Sequence, residues 1–439
     1  MRSSEREFVS EILGINEAGH MTIGGIDIPL LVEQYGTPLM VMDEEYIEDQ
    51  CKAYRDALIK HYGENSLVAY AGKAFCTGYM YKILSRYGLG ADVVSGGEIY
   101  TAKAADFDMS KLFFHGNNKT MQELRQALEL GIGFFVVDNS EELELLNTLA
   151  GEMGKTAKIL FRIKPGIDAH THDYIKTGAI DSKFGLALET GEALSIIGRV
   201  QKLGNVEYVG IHCHIGSQIF ESEPYEEAVK VMTSFIKEIF DVLGLETYEL
   251  NLGGGFGIKY IPSHEPKTPE ETVEKLCEEL KKSLREKNLP APRLIIEPGR
   301  SIVASAGITV YRVGSVKVIP GVRTYVAVDG GMTDNPRFAL YGAVYEFELP
   351  EKVTEEKTET VSIAGRCCES GDMLGHDVKL QKAEAGDLLC TLATGAYCYS
   401  MSSNYNRLPR PPVVMVKNGT SKVVVKRESY EDLIKNDVF

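Results

Sequence analysis

Eight short apolar runs alternate with helical patterns between residues 66 and 300 of this 439-residue chain. The intervening stretches carry apolar residues at helical spacing and commonly end at glycine. Eight strands that alternate with helices are typical of a closed (β/α)8 barrel of the TIM type, whose functional residues follow the strands. The sequence therefore predicts such an α/β barrel, with strands at 67–71, 90–94, 112–115, 134–138, 159–163, 208–214, 248–252 and 294–296.

After Arg300 the pattern changes to strands without intervening helices. Asn418-Gly419 separates two strand-like runs in the manner of a hairpin turn. The strand-like segments before residue 44 are expected to pack with these later strands. The predicted organisation is an N-terminal arm over 1–44, the barrel over 45–302, and an all-β C-terminal domain, of a sandwich or barrel-like kind, over 303–439.

Composition narrows the functional classes. The chain has 47 Lys and Arg against 63 Asp and Glu, a net charge of −16, which argues against a nucleic-acid surface. Its apolar runs are too short to cross a bilayer, and its N-terminus lacks the pattern of a secretory signal. Eight cysteines without a CxxC pair argue against a disulfide framework or a structural zinc site. A cytoplasmic protein without membrane contacts is expected.

Lys73 follows the first predicted strand, directly after Gly72. A lysine at the carboxyl end of a barrel strand, partly removed from water, can act as a nucleophile or form a Schiff base. Taken alone, however, Lys73 is better interpreted as a solvated lysine at a strand end.

Two histidines end the sixth predicted strand. The two-residue period of a strand places His212 and His214 on one face, towards the barrel mouth. One interpretation is a zinc site, which needs further ligands; the other is an imidazole that serves different chemistry beside Lys73.

Glycine-rich turns follow the seventh and eighth strands. Gly253, Gly254 and Gly255 form the first turn, and Gly299 lies in the second. Exposed backbone N–H groups at these two strand ends commonly bind phosphate in this fold, although glycine triplets also occur as plain turns. Glu297 emerges at the same end, either as a site carboxylate or as an ion-pair partner of Arg300.

An amine, an imidazole, a carboxylate and a phosphate cradle are together what pyridoxal phosphate requires. Motifs that run through most of the chain point the same way: YAGKA at 70–74, ADVVSGGE at 91–98, HGNNK at 115–119, SKFG at 182–185, HCHIGSQ at 212–218, GGGFG at 253–257, EPGR at 297–300, DGGMTDNPRFALY at 329–341, CESGD at 368–372 and GAYCYSMSSNYN at 395–406. In these motifs and their order, the sequence resembles the diaminopimelate decarboxylases, a family of fold type III pyridoxal-phosphate decarboxylases.

The resemblance implies a role for each matching residue, and no metal. Pyridoxal 5'-phosphate would be bound by Lys73, Asp92, His214, Ser217, Gly253, Gly254, Gly255, Glu297, Gly299, Arg300 and Tyr397. The substrate would be bound by Arg300, Arg337, Tyr341, Glu369 and Tyr397. Catalytic groups would be Lys73, which attaches to the cofactor, His214, which stacks on its ring, and Cys368, a candidate acid. Cys368 and Glu369 would come from a second subunit, so the resemblance implies a homodimer with shared sites.

The implied activity is decarboxylation of meso-2,6-diaminopimelate to L-lysine and carbon dioxide, the last step of lysine biosynthesis. The alternatives are a related decarboxylase acting on ornithine, arginine, a D-amino acid or a siderophore intermediate, an alanine-type racemase, a metal-dependent hydrolase, and a non-catalytic cofactor carrier. Arg366, before the Cys367-Cys368 pair, departs from the family pattern and puts the geometry of that loop in question.

Three further expectations concern residues outside these sets. Arg162, on the fifth strand, is either part of the cofactor's surroundings or an ion-pair partner of Asp92. His115 and Asn118 are expected only to hold a loop together. The long polar connection from Lys164 to Glu189 is either a loop that covers substrate or a plain insertion.

Overall fold

The computed structural model describes residues 7–167 and 182–439. The chain forms two compact units. The barrel unit comprises Gln50–Gly257 and Pro266–Gly299, and the β unit comprises Met1–Asp49, Ile258–Glu265 and Arg300–Phe439. The sequence left open whether the connection from Lys164 to Glu189 is a loop that covers substrate or a plain insertion. Residues 168–181 of this connection lie outside the described residues.

The regular elements of the described residues follow in chain order. The strands are β1 (Leu13–Ile15), β2 (Met21–Ile23), β3 (Ile26–Asp27), β4 (Leu39–Asp43), β5 (Ser66–Ala71), β6 (Gly90–Val93), β7 (Leu112–Phe114), β8 (Phe134–Val137), β9 (Ala157–Lys164), β10 (Leu186–Ala187), β11 (Val206–Cys213), β12 (Glu249–Asn251), β13 (Arg293–Ile296), β14 (Gly307–Ile319), β15 (Arg323–Val328), β16 (Phe347–Glu348), β17 (Glu359–Ala364), β18 (Met373–Leu380), β19 (Leu388–Thr391), β20 (Val413–Lys417) and β21 (Thr420–Val425). The α-helices are α1 (Ile28–Tyr35), α2 (Glu44–His61), α3 (Gly78–Arg86), α4 (Gly96–Ala104), α5 (Met121–Leu130), α6 (Ser140–Glu152), α7 (Glu192–Arg199), α8 (Glu223–Leu243), α9 (Pro269–Glu286), α10 (Arg300–Val303), α11 (Arg337–Tyr341) and α12 (Tyr430–Ile434).

Eight parallel strands close the barrel in the order β5, β6, β7, β8, β9, β11, β12, β13. Closure is made by β13, which pairs in parallel with β5 through Ile296 and Val68. The interior is filled by buried side chains such as Phe113, Val136 and Leu160. The predicted (β/α)8 barrel is thus confirmed, and each predicted strand overlaps an observed one. The short strand β10 pairs only with β9, outside the ring.

The β unit is mostly sheet. Its main sheet has the order β18, β17, β15, β14, β4, β20, β21, and β19 pairs with β14 and β16. Strand β4 of the N-terminal arm pairs antiparallel with β14 and in parallel with β20. The turn between β20 and β21 has positive φ at both Asn418 and Gly419, as a tight hairpin requires. The limits of the two units lie a few residues from the expected ones, and 258–265 of the predicted barrel range belongs to the β unit.

A buried ion pair fixes the segment between β7 and α5. The Lys119 ammonium donates to Glu142 Oε1 at 2.7 Å and to the backbone oxygens of Gly116 and Val136. Both side chains are almost fully buried, at 1% and 5% exposure. None of the helices in 7–167 and 182–439 combines the length and apolar character needed to span a membrane.

Replacing Lys119 by Met should lower the free energy of unfolding by about 3–5 kcal/mol, because it leaves the Glu142 carboxylate buried without its cation. Arg125→Met is the matched control, since Arg125 pairs with Glu152 on the surface, where ion pairs contribute at most about 1 kcal/mol. Urea unfolding of both variants measures the difference. Equal losses would show that the buried pair has no special weight.

Candidate active site

Lys73 lies in a single 3-10 turn, Gly72–Ala74, directly after β5. The Gly72 N–H donates to Asp92 Oδ1 at 2.7 Å. A Cβ at Gly72 would lie 2.6 Å from the Asp92 carbonyl oxygen, so the turn requires glycine there. Lys73 itself is exposed between two buried residues, in contrast to the partly desolvated lysine considered from sequence. Its amine is therefore accessible at the carboxyl end of the barrel.

Asp92 lies in the second barrel strand, β6, and is buried. Burial, and next the negative charge of Glu297, raise its pKa well above the usual value, while the charge of Lys73 opposes that rise. The Asp92 carboxyl group thus holds the turn that carries Lys73, through its hydrogen bond from Gly72, and it also interacts with the charge of Lys73.

Glu297 follows the last barrel strand and is surrounded by hydrogen-bond donors. His115 Nε2 lies 2.8 Å from its Oε1, and Asn251 Nδ2 donates to the same oxygen at 2.7 Å. His212 Nε2 lies 3.2 Å from the other oxygen, Oε2. All four side chains are buried. The carboxylate oxygens of Glu297 are thus hydrogen-bonded to two imidazoles and an amide, and its role as a site carboxylate stays a prediction.

The charges within this cluster follow from burial. Burial lowers the pKa of His212 to about 4, against a smaller opposing effect of Glu297, so the ring is neutral near pH 7. Burial likewise lowers the pKa of His115. Burial alone would raise the pKa of Glu297, but its interactions with His115 and His212 outweigh burial and hold that pKa well below its usual range. The cluster therefore contains an ionised carboxylate held by neutral donors.

The glycine turn after β12 lies against the neighbouring strand ends of the same unit. A Cβ at Gly254 would lie 2.0 Å from the backbone oxygen of Glu297, and one at Gly255 would lie 2.2 Å from that of Gly216. Gly253 and Gly255 also have positive φ values of 68° and 99°. Side chains cannot fit at these positions, because the turn packs directly against neighbouring backbone.

His214, just past β11, is half-buried beside that turn. The Gly254 N–H donates to its Nδ1 at 3.4 Å. Removal from water, followed by the charge of Lys73, lowers its pKa well below the usual value. Ser217 is half-buried in the same segment, and Gly299 packs against Ala71, which a Cβ would approach to 2.6 Å.

The side chains that could bind zinc differ from the pair considered from sequence. Among the described residues, the side chains grouped closely enough to hold a metal are His115, His212 and Glu297, within 4.8 Å of one another, and not the His212 and His214 pair considered from sequence. Arg162 is also placed differently from the ion pair considered with Asp92. Its guanidinium lies 4.3 Å from the centre of the Phe184 ring.

The β unit has its own charged cluster around Tyr260. Arg300 Nη1 donates to the Tyr260 hydroxyl at 2.7 Å, and Arg337 Nη1 donates to it at 3.2 Å. Arg337 also donates to the hydroxyl of Tyr345 at 2.9 Å. Both arginines are buried, and the described residues place no carboxylate within ion-pair distance of Arg337. A buried guanidinium with only neutral partners retains its attraction for an anion.

Aromatic rings flank the two guanidinium groups. The Tyr397 ring centre lies 4.9 Å from the Arg300 guanidinium carbon and 5.4 Å from that of Arg337, and the Tyr341 ring lies 5.9 Å from Arg337. Tyr397 has a φ of 65°, which is uncommon for a residue other than glycine. Such strain commonly marks a functional position.

The loop that carries Cys368 and Glu369 is exposed and well anchored. Asp372 accepts hydrogen bonds from the Cys367 and Met332 N–H groups at 2.7 and 2.6 Å, and the Cys368 N–H donates to Asn406 Oδ1 at 2.8 Å. The side chain of Arg366 is exposed, while its N–H donates to the Gly330 oxygen. The departure at this position thus leaves the loop's backbone contacts in place.

Sequence reasoning missed several residues of these clusters. His115 had been expected only to hold a loop, and His212 had been considered as a zinc ligand beside His214. Asn251, Tyr260 and Tyr345 had not been singled out. A signal existed for His115, which directly follows a barrel strand, and for Asn251, whose side chain is a buried amide at the end of the seventh barrel strand. The two tyrosines gave no such signal.

Comparison with known proteins places these features in a family. Residues 44–304 match the family model described as pyridoxal-dependent decarboxylase, pyridoxal binding domain. The chain is 49% identical over 423 residues to diaminopimelate decarboxylase of Bacillus subtilis, covering 96% of both chains, and 44% identical over 423 residues to that of Staphylococcus aureus, covering 96% of this chain and 98% of the relative. A crystal structure of diaminopimelate decarboxylase from M. jannaschii in co-complex with L-lysine is 37% identical, with a TM-score of 0.89 over 99% of both chains.

The barrel, the family model and the motifs together define a pyridoxal-dependent decarboxylase. Within that class, identity over nearly the whole length shows that the chain belongs to the diaminopimelate decarboxylase family. The lysine/ornithine decarboxylase from Vibrio vulnificus, 24% identical with a TM-score of 0.75, shares the fold alone.

His212 should make stability depend on pH. Its pKa is depressed from the usual 6.5 to about 4 in the folded chain, so between these values the unfolded chain takes up a proton that the folded chain does not. Stability contributed by the neutral ring is full above about pH 6.5 and decreases as the pH falls towards 4.

Urea unfolding of the ligand-free protein and of His212→Gln should therefore show a stability difference that shrinks by about 2 kcal/mol between about pH 7 and about pH 5. An identical pH dependence in both proteins would mean that His212 titrates alike in the folded and unfolded chains.

Proposed function

We propose that this chain decarboxylates meso-2,6-diaminopimelate to L-lysine and carbon dioxide with pyridoxal 5'-phosphate as its cofactor. The observation that carries the substrate class is Arg337, a buried guanidinium whose described partners are neutral tyrosines. An amino acid with a second carboxylate supplies the missing counter-charge. Close relatives bear the name of this activity, which supports the proposal.

The chain's own groups fit the cofactor. Lys73 offers an accessible amine for its aldehyde, and Glu297 offers an ionised carboxylate that can accept from a protonated ring nitrogen. By the resemblance, the backbone of the turn Gly253–Gly255 binds the phosphate, and a side chain at Gly254 or Gly255 would clash with neighbouring backbone. By the resemblance, His214 contacts the ring, and Asp92, Ser217, Gly299, Arg300 and Tyr397 complete the set. When bound, the cofactor would supply an electron sink for the electron pair that stays on the substrate carbon as carbon dioxide leaves.

The remaining chemistry belongs to side chains. Loss of carbon dioxide leaves the substrate carbon in need of one proton, and Cys368 Sγ or Lys73 Nζ is proposed to deliver it. Arg300, Arg337 and Tyr341 are proposed to bind the distal carboxylate, while Glu369 binds the distal amine. A shorter diamine lacks the distal carboxylate and would leave the buried arginines unpaired. A site left with unpaired buried charges rejects such a substrate by up to about ten-thousand-fold.

The proposed active form is a homodimer, because Cys368 and Glu369 are exposed on an anchored loop where a second subunit could receive them. The eight cysteines are all free, which suits the reducing conditions of the proposed location, the cytoplasm.

Substrate choice tests the role of Arg337. Wild-type protein supplied with pyridoxal phosphate should release carbon dioxide from meso-diaminopimelate and very little from ornithine. Arg337→Met should reduce kcat/KM for diaminopimelate by at least about a hundredfold, because a buried charge pair with the substrate is lost, and should change the ornithine rate far less. Arg323→Met, which alters a half-exposed arginine, is the control. Equal rates for the two substrates in the wild type would contradict the proposed specificity.

Subunit mixing tests the shared site. Lys73→Ala and Glu369→Ala should each be nearly inactive alone, and Lys73→Ala should also lack the visible absorbance that borohydride removes from the wild type. Refolded as a one-to-one mixture, the two should recover about a quarter of wild-type activity, since half of the dimers are mixed and each of those has one complete site. Activity that stays at the level of the single variants would show that each site belongs to one chain.

A further inference from the structure

Three neutral groups contact the Glu297 carboxylate, and they occupy one of its two oxygens more fully than the other. A carboxylate oxygen accepts about two strong hydrogen bonds. Oε1 already accepts from His115 and Asn251, at 2.8 and 2.7 Å, whereas Oε2 has only the longer contact of 3.2 Å to His212. The remaining acceptor capacity of the carboxylate therefore lies on Oε2.

The protonation of the two histidines follows from the same contacts. An ionised carboxylate can only accept, so both rings must donate through Nε2–H. His212 Nδ1 is then a bare nitrogen, and it has no hydrogen-bond partner among the described residues. This is the less costly tautomer, because a buried N–H without an acceptor would lose a full hydrogen bond.

The strand pairing makes this arrangement rigid. His212 lies opposite Asn251 in the parallel pairing of β11 and β12, and Asn251 lies opposite Ile295 of β13, two residues before Glu297. Asn251 is fixed further because its Oδ1 accepts from the Gly253 N–H at 2.9 Å. The rings of His115 and His212 contact each other edge to face, with centres 4.7 Å apart.

We propose that His115, His212 and Asn251 are positioning residues that hold Glu297 as an ionised carboxylate, with Oε2 directed to the ring nitrogen of the cofactor. The inference rests on the proposed cofactor and concerns residues that do not themselves touch the substrate. Neutral donors suit this role because they fix the carboxylate without cancelling its charge. The closely grouped ligand atoms would otherwise suggest a metal ion, which the test below distinguishes.

The test compares pyridoxal phosphate with its carbocyclic analogue, in which a CH group replaces the ring nitrogen. Dissociation constants of the two compounds are measured by equilibrium dialysis for wild type, His115→Leu, His115→Gln and Asn251→Asp. The Leu variant removes the donor, and the Gln variant keeps one. The Asp variant keeps the oxygen that accepts from Gly253 but replaces the neutral amide donor by a second carboxyl group, which shares a proton with Glu297 and so disturbs its ionised state. His20→Leu, in the N-terminal arm, is the control.

His115→Leu and Asn251→Asp should weaken binding of pyridoxal phosphate by about tenfold to a hundredfold, the usual effect of losing a hydrogen bond to a buried charge. Binding of the carbocyclic analogue should change by less than about threefold, since it has no ring nitrogen for Glu297 to meet. His115→Gln should restore most of the loss. In the wild type, nitrogen-15 NMR should show neutral Nε2–H tautomers for both histidines.

Equal weakening with both compounds would overturn the positioning role and leave a purely structural one. Unchanged binding of pyridoxal phosphate in both His115→Leu and Asn251→Asp would overturn it as well. Zinc that copurifies with the wild type and is lost in His115→Leu would replace it with a metal site. A wild type that binds neither compound would instead contradict the proposed cofactor, so the two failures are distinct.

Discussion

The central constraint on the barrel unit is the burial of one ionised carboxylate, that of Glu297. An isolated carboxylate in a protein interior is costly, and its burial is tolerated only where hydrogen bonds replace water. Those bonds come from three other strand ends, through His115, His212 and Asn251. Since the four residues are distant in sequence, the carboxylate can be satisfied only when the ring of strands is closed in the correct register. A shift of one residue would turn the side chains of a strand to its opposite face.

The glycine turns serve the same geometry from the backbone side. Gly254 can lie against the Glu297 carbonyl only because it has no Cβ, and Gly72 approaches the Asp92 carbonyl for the same reason. Both contacts draw a loop inward at the carboxyl end of the barrel. The positions of Lys73 and of the glycine turn thus depend on missing side chains as much as on the polar groups present.

Sequence patterns predicted the strands of the barrel because each is buried on both faces and reads as an apolar run. Strand ends were less exact. The fifth barrel strand runs Ala157–Lys164 and not 159–163, because backbone pairing with β11 continues past the apolar residues, beginning at Ala157 and Val206. The partners of polar residues were not predictable. His115 and Glu297 are 182 positions apart, and Tyr260 and Arg337 are 77 apart. Periodicity carries no information about such pairs, so His115 was taken for a loop contact and Tyr260 escaped notice.

The two clusters and the Lys119–Glu142 pair show how buried charges are handled in different ways. In the ion pair, opposite charges meet directly, and the pair stabilises the fold while attracting little else. Glu297 and Arg337 are each held, within their own units, by neutral imidazole, amide or phenol groups. Neutral partners satisfy hydrogen bonding and fix direction but leave the net charge in place. Such charges are poor choices for stability alone. A carboxylate held in this way can bind a cation, and a guanidinium can bind an anion, which is why ligand recognition is proposed for Glu297 and Arg337 and a role in the fold for Lys119.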